Sequence, residues 1–252
     1  MISLKSPAQI AMMRRSGALL ARVLRLIRGM IAPGVKTAEL DRIAEDTIRG
    51  AGGTPSFKGY RGFPYTLCMS PDDQVVHGFP NGTPLREGQI LSVDAGLLLD
   101  GWQADGAFTV PVGVVTPQAS RLIEVTEQCF YKGLEQVRVG GRIGDISAAV
   151  EGHARAHGYT PIRDLCGHGI GTQLHEDPEV PNFGQAGRGV RLRAGMVICI
   201  EPMIAAGDWP VTIGEDGWTV TTRDHSLCAH YEHTIAVTEA GPVLLTLPDE
   251  EA

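Results

Sequence analysis

The chain has 252 residues, of which 43% are hydrophobic and 20% are charged, and its formal net charge is −7. This is the composition of a globular protein, and its acidic balance disfavours tight binding to DNA or to anionic membranes, which requires clustered lysine and arginine. The first residues do not form a secretory signal, and no run of about 18 apolar residues predicts a membrane span. Five cysteines without a CxxC pair predict reduced thiols in a cytoplasmic protein.

Helices are predicted in two pairs, one pair in each half of the chain. Apolar residues at helical spacing indicate helices over 7–31 and 37–51, with Thr37 as the N-cap of the second. The same pattern predicts helices over 117–138 and 144–157. Short apolar runs that follow each pair predict strands.

The two halves of the sequence resemble each other in three segments that occur in the same order. The matching segments are 37–55 with 143–161, 66–80 with 164–178, and 85–94 with 192–201. Each copy contains two helices followed by strands, and each third segment ends in a carboxylate. We therefore predict a duplicated α+β unit, with two sheets facing each other across a pseudo-two-fold axis.

A β-hairpin with inward-facing carboxylates is predicted in the first half. The Asp-Gly dipeptide at 100–101 lies between two apolar runs and favours a two-residue turn. This turn places Gly96 opposite Asp105, so Asp94 and Asp105 lie on the same face as diagonal neighbours, with Cα atoms about 7–8 Å apart. Two carboxylates that point inward repel each other unless a cation lies between them.

The duplication predicts two more carboxylates at the corresponding places of the second half. Glu201 ends one predicted strand as Asp94 does, and Glu232 begins another at the place that matches Asp105. His168 adds a nitrogen donor where the first copy has Ser70. A lone Asp, Glu or His is more often structural than a ligand, but this combination predicts a site for divalent Mn, Fe, Co or Zn ions.

Five motifs of the chain resemble those of type I methionine aminopeptidases. These motifs are HGFPN (77–81), VDAGLLLDGWQADGAFTV (93–110), GHGIGTQLHEDPEVPNFG (167–184), IEPMI (200–204) and YEHTIAVT (231–238). The resemblance runs from the first helix to about residue 240. It implies the pita-bread fold, an α+β architecture of duplicated units, in a single catalytic domain spanning residues 1–252.

The resemblance also implies how the ligands share two divalent metal ions. Asp105 and Glu232 are expected to bridge the ions, Asp94 to chelate one of them, and His168 with Glu201 to complete the other. Glu201 would in addition act as the general base that takes a proton from the attacking water. His77 and His175 match the family's catalytic histidines and would contact the substrate. A phosphate-binding loop is disfavoured, because no Lys-Ser/Thr follows the glycines around His168.

The methionine pocket is expected, by the same resemblance, to contain Tyr60, Phe63, Cys68 and Trp218. A thioether is soft and polarizable and suits an apolar, aromatic site. Plain core packing is the alternative for each of these side chains. Cys68 has a counterpart, Cys166, in the second copy, which makes a packing role equally credible.

The substrates implied by the resemblance are N-terminal methionyl peptides and nascent chains with a small second residue. Transient contact with the ribosome and a monomeric state are expected with them. Two alternatives stay open. An Xaa-Pro peptidase would use the same ligands on the same fold, and a non-catalytic binding module of this fold would have lost metal ligands.

Overall fold

The computed structural model describes residues 2–247. Its helices are α1 (Pro7–Met30), α2 (Thr37–Gly50), α3 (Pro117–Leu134) and α4 (Ile143–Ala156). Its strands are β1 (Thr54–Pro55), β2 (Leu67–Pro71), β3 (Gln74–Val76), β4 (Ile90–Leu99), β5 (Trp102–Pro111), β6 (Thr160–Pro161), β7 (Cys166–Gly169), β8 (Glu176–Pro181), β9 (Val197–Ile200), β10 (Met203–Ala205), β11 (Val211–Ile213), β12 (Val220–Thr222), β13 (Cys228–His230), β14 (Glu232–Thr238) and β15 (Gly241–Leu244). A short 3₁₀ turn covers Tyr60–Gly62.

The four predicted helices are confirmed, with two corrections at their ends. Thr37 is not an N-cap, because Lys36 holds that position and the Thr37 hydroxyl instead pairs with the backbone of Asn81. Helix α3 ends at Leu134 rather than at residue 138. The chain leaves the helix in tighter turns, in which the N–H of Val137 donates to the carbonyl of Leu134.

The two halves share one sheet, so the prediction of two separate sheets was wrong. Nine strands form this sheet in the order β1-β4-β5-β14-β9-β7-β8, with β2 beside β4 and β15 beside β14. The halves join where β5 pairs antiparallel with β14, at Ala107 with Glu232 and at Gly106 with His233. Two separate sheets would have left β5, and the start of β14, with unpaired backbone groups at an open edge.

Each half packs its own helix pair against its own strands. In the first half, one buried cluster joins α1 and α2 to β4 through Leu20, Ile27, Leu40, Ile48, Leu91 and Val93. In the second half, Phe130 and Ile146 of α3 and α4 pack with Ile198 and Ile200 of β9. The repeated helix-helix-strand unit predicted from the sequence is therefore present as two similar layers on a common sheet.

The hairpin predicted at 100–101 is confirmed together with its register. Gly96 of β4 lies opposite Asp105 of β5. Asp100 and Gly101 both have positive φ, 51° and 82°, as a tight hairpin of this kind requires. The two carboxylates of the hairpin therefore point to the same face of the sheet.

All five cysteines are free thiols, as expected for reduced cysteines. Within residues 2–247, no helix combines the length and apolar character that a bilayer crossing demands.

We predict that Gly17→Ala destabilises the protein, because α1 crosses the backbone of Leu245 at this glycine. An added Cβ would overlap the Leu245 carbonyl group. Overpacking of this kind costs about 1–3 kcal/mol, and Tm should fall by several degrees in thermal unfolding followed by circular dichroism.

Gly29→Ala is the matched control in the same helix. A Cβ at Gly29 has no atom within 4 Å, and alanine is the better helix former, so stability should be unchanged or slightly higher. Equal Tm values for the two variants would contradict the close approach at Gly17.

Candidate metal centre

Three carboxylates meet where β4, β5 and β14 lie side by side. Asp94 and Asp105 come from the hairpin, and Glu232 is the first residue of β14. The β5–β14 register puts Glu232 opposite Ala107, which shares a face with Asp105. Oxygens of the three side chains all lie within 4.8 Å of one another.

His168 and Glu201 complete this group from the second half of the chain. The Nδ1–H of His168 donates to the carbonyl of Gly169 at 2.9 Å, so its Nε2 lone pair faces the carboxylates. Nε2 lies 3.6 Å from Glu201 Oε1 and 3.8 Å from Asp105 Oδ2. These distances exceed a hydrogen bond, but donors bound to one ion by bonds of about 2.0–2.2 Å can be up to about 4.2 Å apart.

Burial of the carboxylates and the repulsion between their negative charges both oppose their ionisation. Burial raises the pKa of Asp94 to about 7. Burial, followed by the negative charge of neighbouring acids, raises the pKa of Asp105, Glu201 and Glu232 well above the ordinary value. Asp94 Oδ1 and Glu232 Oε1 have no hydrogen-bond partner among the described residues. Oxygen-rich donors with one imidazole and an excess of negative charge fit divalent cations.

One cavity of about 510 Å³ contains every site residue that the sequence predicted. Its lining includes Asp94, Asp105, His168, Glu201, Glu232, His77, His175, Tyr60, Phe63, Cys68 and Trp218. The roles of these residues stay predictions, but the structure brings all of them together.

The two remaining histidines lie beside the carboxylates. The ring of His175 is 4.3 Å from that of His168, and its Nδ1 is 2.8 Å from the Tyr60 hydroxyl. Burial, then the charges of His168 and Arg61, lowers the pKa of His175 to about 4. Burial also lowers the pKa of His77, whose φ of 59° is left-handed and costly for a residue with a side chain. Both imidazoles are therefore neutral near pH 7.

An apolar wall faces the acids across the cavity. Phe63 packs edge-on against Trp218, with ring centroids 5.2 Å apart. Cys68 lies directly opposite Asp94 in the β2–β4 pair, so its buried thiol is beside the carboxylates. Phe57 and Leu174 add further apolar surface to the lining. The four predicted pocket residues thus form a continuous apolar surface next to the acidic group.

Sequence reasoning missed His230, which lies deep in the same group of acids. Its Nε2 is 3.9 Å from an oxygen of Glu201 and 3.9 Å from an oxygen of Glu232. Burial lowers its pKa to about 3, and neither ring nitrogen has a hydrogen-bond partner among the described residues. The available signal was its position in AHYEHT, two residues before Glu232 and hence on the same face.

Comparisons with known proteins agree on one family. The model of metallopeptidase family M24 matches residues 11–239. The chain is 49% identical to the methionine aminopeptidase of Clostridium perfringens over 247 residues, which cover 98% of this chain and 99% of that protein. The crystal structure of methionine aminopeptidase from Rickettsia prowazekii is similar with a TM-score of 0.97 and 40% identity, and covers 98% of this chain and 100% of that one.

A more distant likeness concerns the fold alone. The prolidase of Pyrococcus horikoshii OT3 matches with a TM-score of 0.77 and 22% identity, over 98% of this chain and 64% of that one. The predicted pita-bread fold is confirmed by these relatives.

We predict that the metal-free protein loses stability as the pH rises from about 7 to about 9. Below the ordinary histidine pKa of 6.5, the lowered pKa values of the buried histidines act in the opposite direction. The raised carboxyl pKa values mean that the folded state keeps protons that the unfolded state has released. For Asp94 this contribution is complete below the ordinary value of 3.8 and is lost as the pH rises through about 7. The Tm of chelator-treated protein, measured across this range, should fall.

Two comparisons test whether the carboxylates cause this fall in Tm. Asp94→Asn cannot titrate, so the slope of its Tm against pH should be smaller. Added Mn²⁺ should raise Tm most at the alkaline end, where the carboxylates are charged. A Tm of the metal-free protein that is flat or rises over this range would contradict the electrostatic interpretation.

Proposed function

The chain belongs to metallopeptidase family M24, and we propose that it removes the N-terminal methionine from peptides and nascent proteins in a metal-dependent hydrolysis. The observation that carries this proposal is the cavity itself, in which an acidic, metal-binding group faces an apolar wall. Similarity to methionine aminopeptidases over nearly the whole chain supports the same reaction.

The donor set supports two ions rather than one. Oxygens of Asp94, Asp105 and Glu232 form one compact group. His168, whose Nε2 approaches Glu201 and Asp105, forms a second group beside it. We assign the two groups to two divalent ions, Co, Mn, Fe or Zn, which Asp94, Asp105, His168, Glu201 and Glu232 would hold. When bound, such ions polarise a carbonyl group and lower the pKa of water towards about 7.

Glu201 is the proposed general base. It is half-buried, its Oε1 faces His168, and its backbone carbonyl accepts a hydrogen bond from Asn182 at 3.0 Å, which fixes its position after β9. A carboxylate at this place takes the proton of the attacking water and can return it to the leaving amine.

His175 and His77 act on the scissile peptide in this proposal. The Tyr60 hydroxyl can donate to His175 Nδ1, which leaves the ring proton on Nε2 for donation to the oxygen that becomes negative. His77 lies 6.1 Å, ring to ring, from Trp218 at the boundary of the apolar wall, where the amide of the scissile bond would lie.

The apolar wall selects methionine, and the acids select a free N-terminus. Phe63, Trp218 and Cys68 offer aromatic and sulfur contacts to a thioether. The free α-amine would lie at the ion that Asp94 would hold, so only the first residue of a chain would be removed. We further expect a preference for small second residues, a cytoplasmic monomer and transient contact with the ribosome.

Cleavage of three peptides tests the proposal. Metal-loaded enzyme should release methionine from Met-Ala-Ser, while Met-Ile-Ser, with its bulky second residue, should be cleaved slowly. The measurement is free methionine or alanine by mass spectrometry, with the metal-free protein as control. Cleavage of Ala-Pro-Ser instead would indicate the Xaa-Pro peptidase. If the metal-loaded protein cleaves none of the three peptides, the proposal is contradicted. This is the result expected of a non-catalytic binding module.

Glu201→Gln should lower kcat by at least about 100-fold, because an amide cannot accept the proton of the attacking water. Metal content by elemental analysis must accompany the assay, since Glu201 is also a proposed ligand. Glu239→Gln, in the exposed turn after β14, is the control and should retain full activity. Near-normal turnover by metal-loaded Glu201→Gln would exclude Glu201 as the base.

A further inference from the structure

A buried ion pair links the N-terminal segment to the loop that carries His175. We propose that Lys5 and Glu176 are positioning residues that hold this loop, residues 171–176, against the metal centre. The inference rests on the proposed function, because it gives the pair a task in the same reaction. Neither residue touches the reacting atoms, and both act through the neighbouring His175.

The pair is exceptional for its burial. Lys5 Nζ lies 2.6 Å from Glu176 Oε2, and the two side chains are only 3% and 13% exposed. The pair Lys58–Glu45 has the same length, but its side chains are 40% and 20% exposed. Removing two charges from water costs about as much as their attraction returns, so a buried pair is poorly explained by stability alone. It does fix the positions of the two segments that it joins.

Glu176 holds the end of the loop, and β5 holds its start. It directly follows His175 in sequence, and while Oε2 accepts from Lys5, Oε1 accepts the backbone N–H of Gln173 at 3.2 Å. The carbonyl of Gly171 accepts the N–H of Gln103 at 2.8 Å, which ties the start of the loop to β5, the strand of Asp105. Both ends of the loop are therefore attached to parts of the metal centre or to this ion pair.

Gly171 packs directly against the pair. A Cβ on this residue would lie 2.5 Å from Glu176 Oε1, 2.6 Å from Lys5 Cε and 2.8 Å from Lys5 Nζ. Any side chain at this position would therefore force the ammonium or the carboxylate group to shift. This packing explains one glycine of the run GHGIG, which the metal ligands alone do not require.

Lys5 is itself anchored to the strand of Glu232. Its backbone N–H donates to the carbonyl of Gly195 at 2.7 Å, and the N–H of Gly195 donates to Val237 of β14 at 2.9 Å. A continuous series of contacts thus leads from β14 through Lys5 and Glu176 to His175. The ring of His175 ends this series 4.3 Å from the ring of His168.

The test is the double variant Lys5→Met/Glu176→Gln, which removes both charges and leaves no lone buried charge. A catalytic group displaced by about 1 Å loses up to about 100-fold in rate, so we expect kcat on Met-Ala-Ser to fall about 10-fold or more. KM and metal content should change little, because the apolar wall and the ligands are intact. Lys5→Arg, which keeps the charge, should retain more of kcat than Lys5→Met.

A second measurement separates positioning from general damage to the structure. In a His175→Ala background, the same double variant should cause no further loss of kcat, because the group through which it acts is already absent. Lys132→Met/Glu135→Gln, which removes an exposed pair at 2.8 Å at the C-terminal end of α3, is the matched control and should leave kcat unchanged.

Two results would overturn the inference. One is wild-type kcat in Lys5→Met/Glu176→Gln, and the other is an equal loss of kcat with and without His175. Both differ from failure of the proposed function, in which the wild-type protein itself would release no methionine.

Discussion

Mutual repulsion among four clustered carboxylates is the constraint on which the structure depends. Burial raises the pKa of Asp94, and burial followed by the charges of neighbouring acids raises those of Asp105, Glu201 and Glu232. A protein tolerates this arrangement when cations compensate it or when the surrounding framework is stiff. The joined sheet supplies the stiffness, because each carboxylate extends from a strand, or from a strand end, that is hydrogen-bonded to its neighbours.

The same sheet separates the proposed metal ligands from the residues that would contact the peptide substrate. The acids come from the central strands of the sheet, where pairing is continuous. His175, Tyr60 and Trp218 come from turns and loops at its border. Loops of this kind need additional support, and the buried pair of Lys5 and Glu176 offers it at His175. In this division, the strands fix the cations and the loops shape the peptide site.

Much of the site could be predicted from sequence because it depends on local signals. The Asp-Gly turn fixes the β4–β5 register and therefore the placement of Asp94 and Asp105 on the same face of the sheet. The internal duplication then led to Glu201 and Glu232. The two halves join where β5 pairs with β14, and these segments are far apart in sequence. No local sequence pattern predicts this pairing. The Lys5–Glu176 pair was missed for the same reason, since its two residues are 171 positions apart. His230 was missed although it lies two residues before Glu232. Thr37 resembled a helix cap, but its hydroxyl meets the backbone of Asn81 instead.

The crossing of α1 over the far end of the chain has a consequence for biosynthesis. Arg14 donates to the carbonyls of Leu245 and Leu247, and Gly17 lies against the backbone of Leu245. The helix that leaves the ribosome first therefore completes its packing only when residues near 247 have emerged. A protein proposed to act on unfinished polypeptides thus depends, for the packing of its own α1, on a segment of its chain that is translated much later.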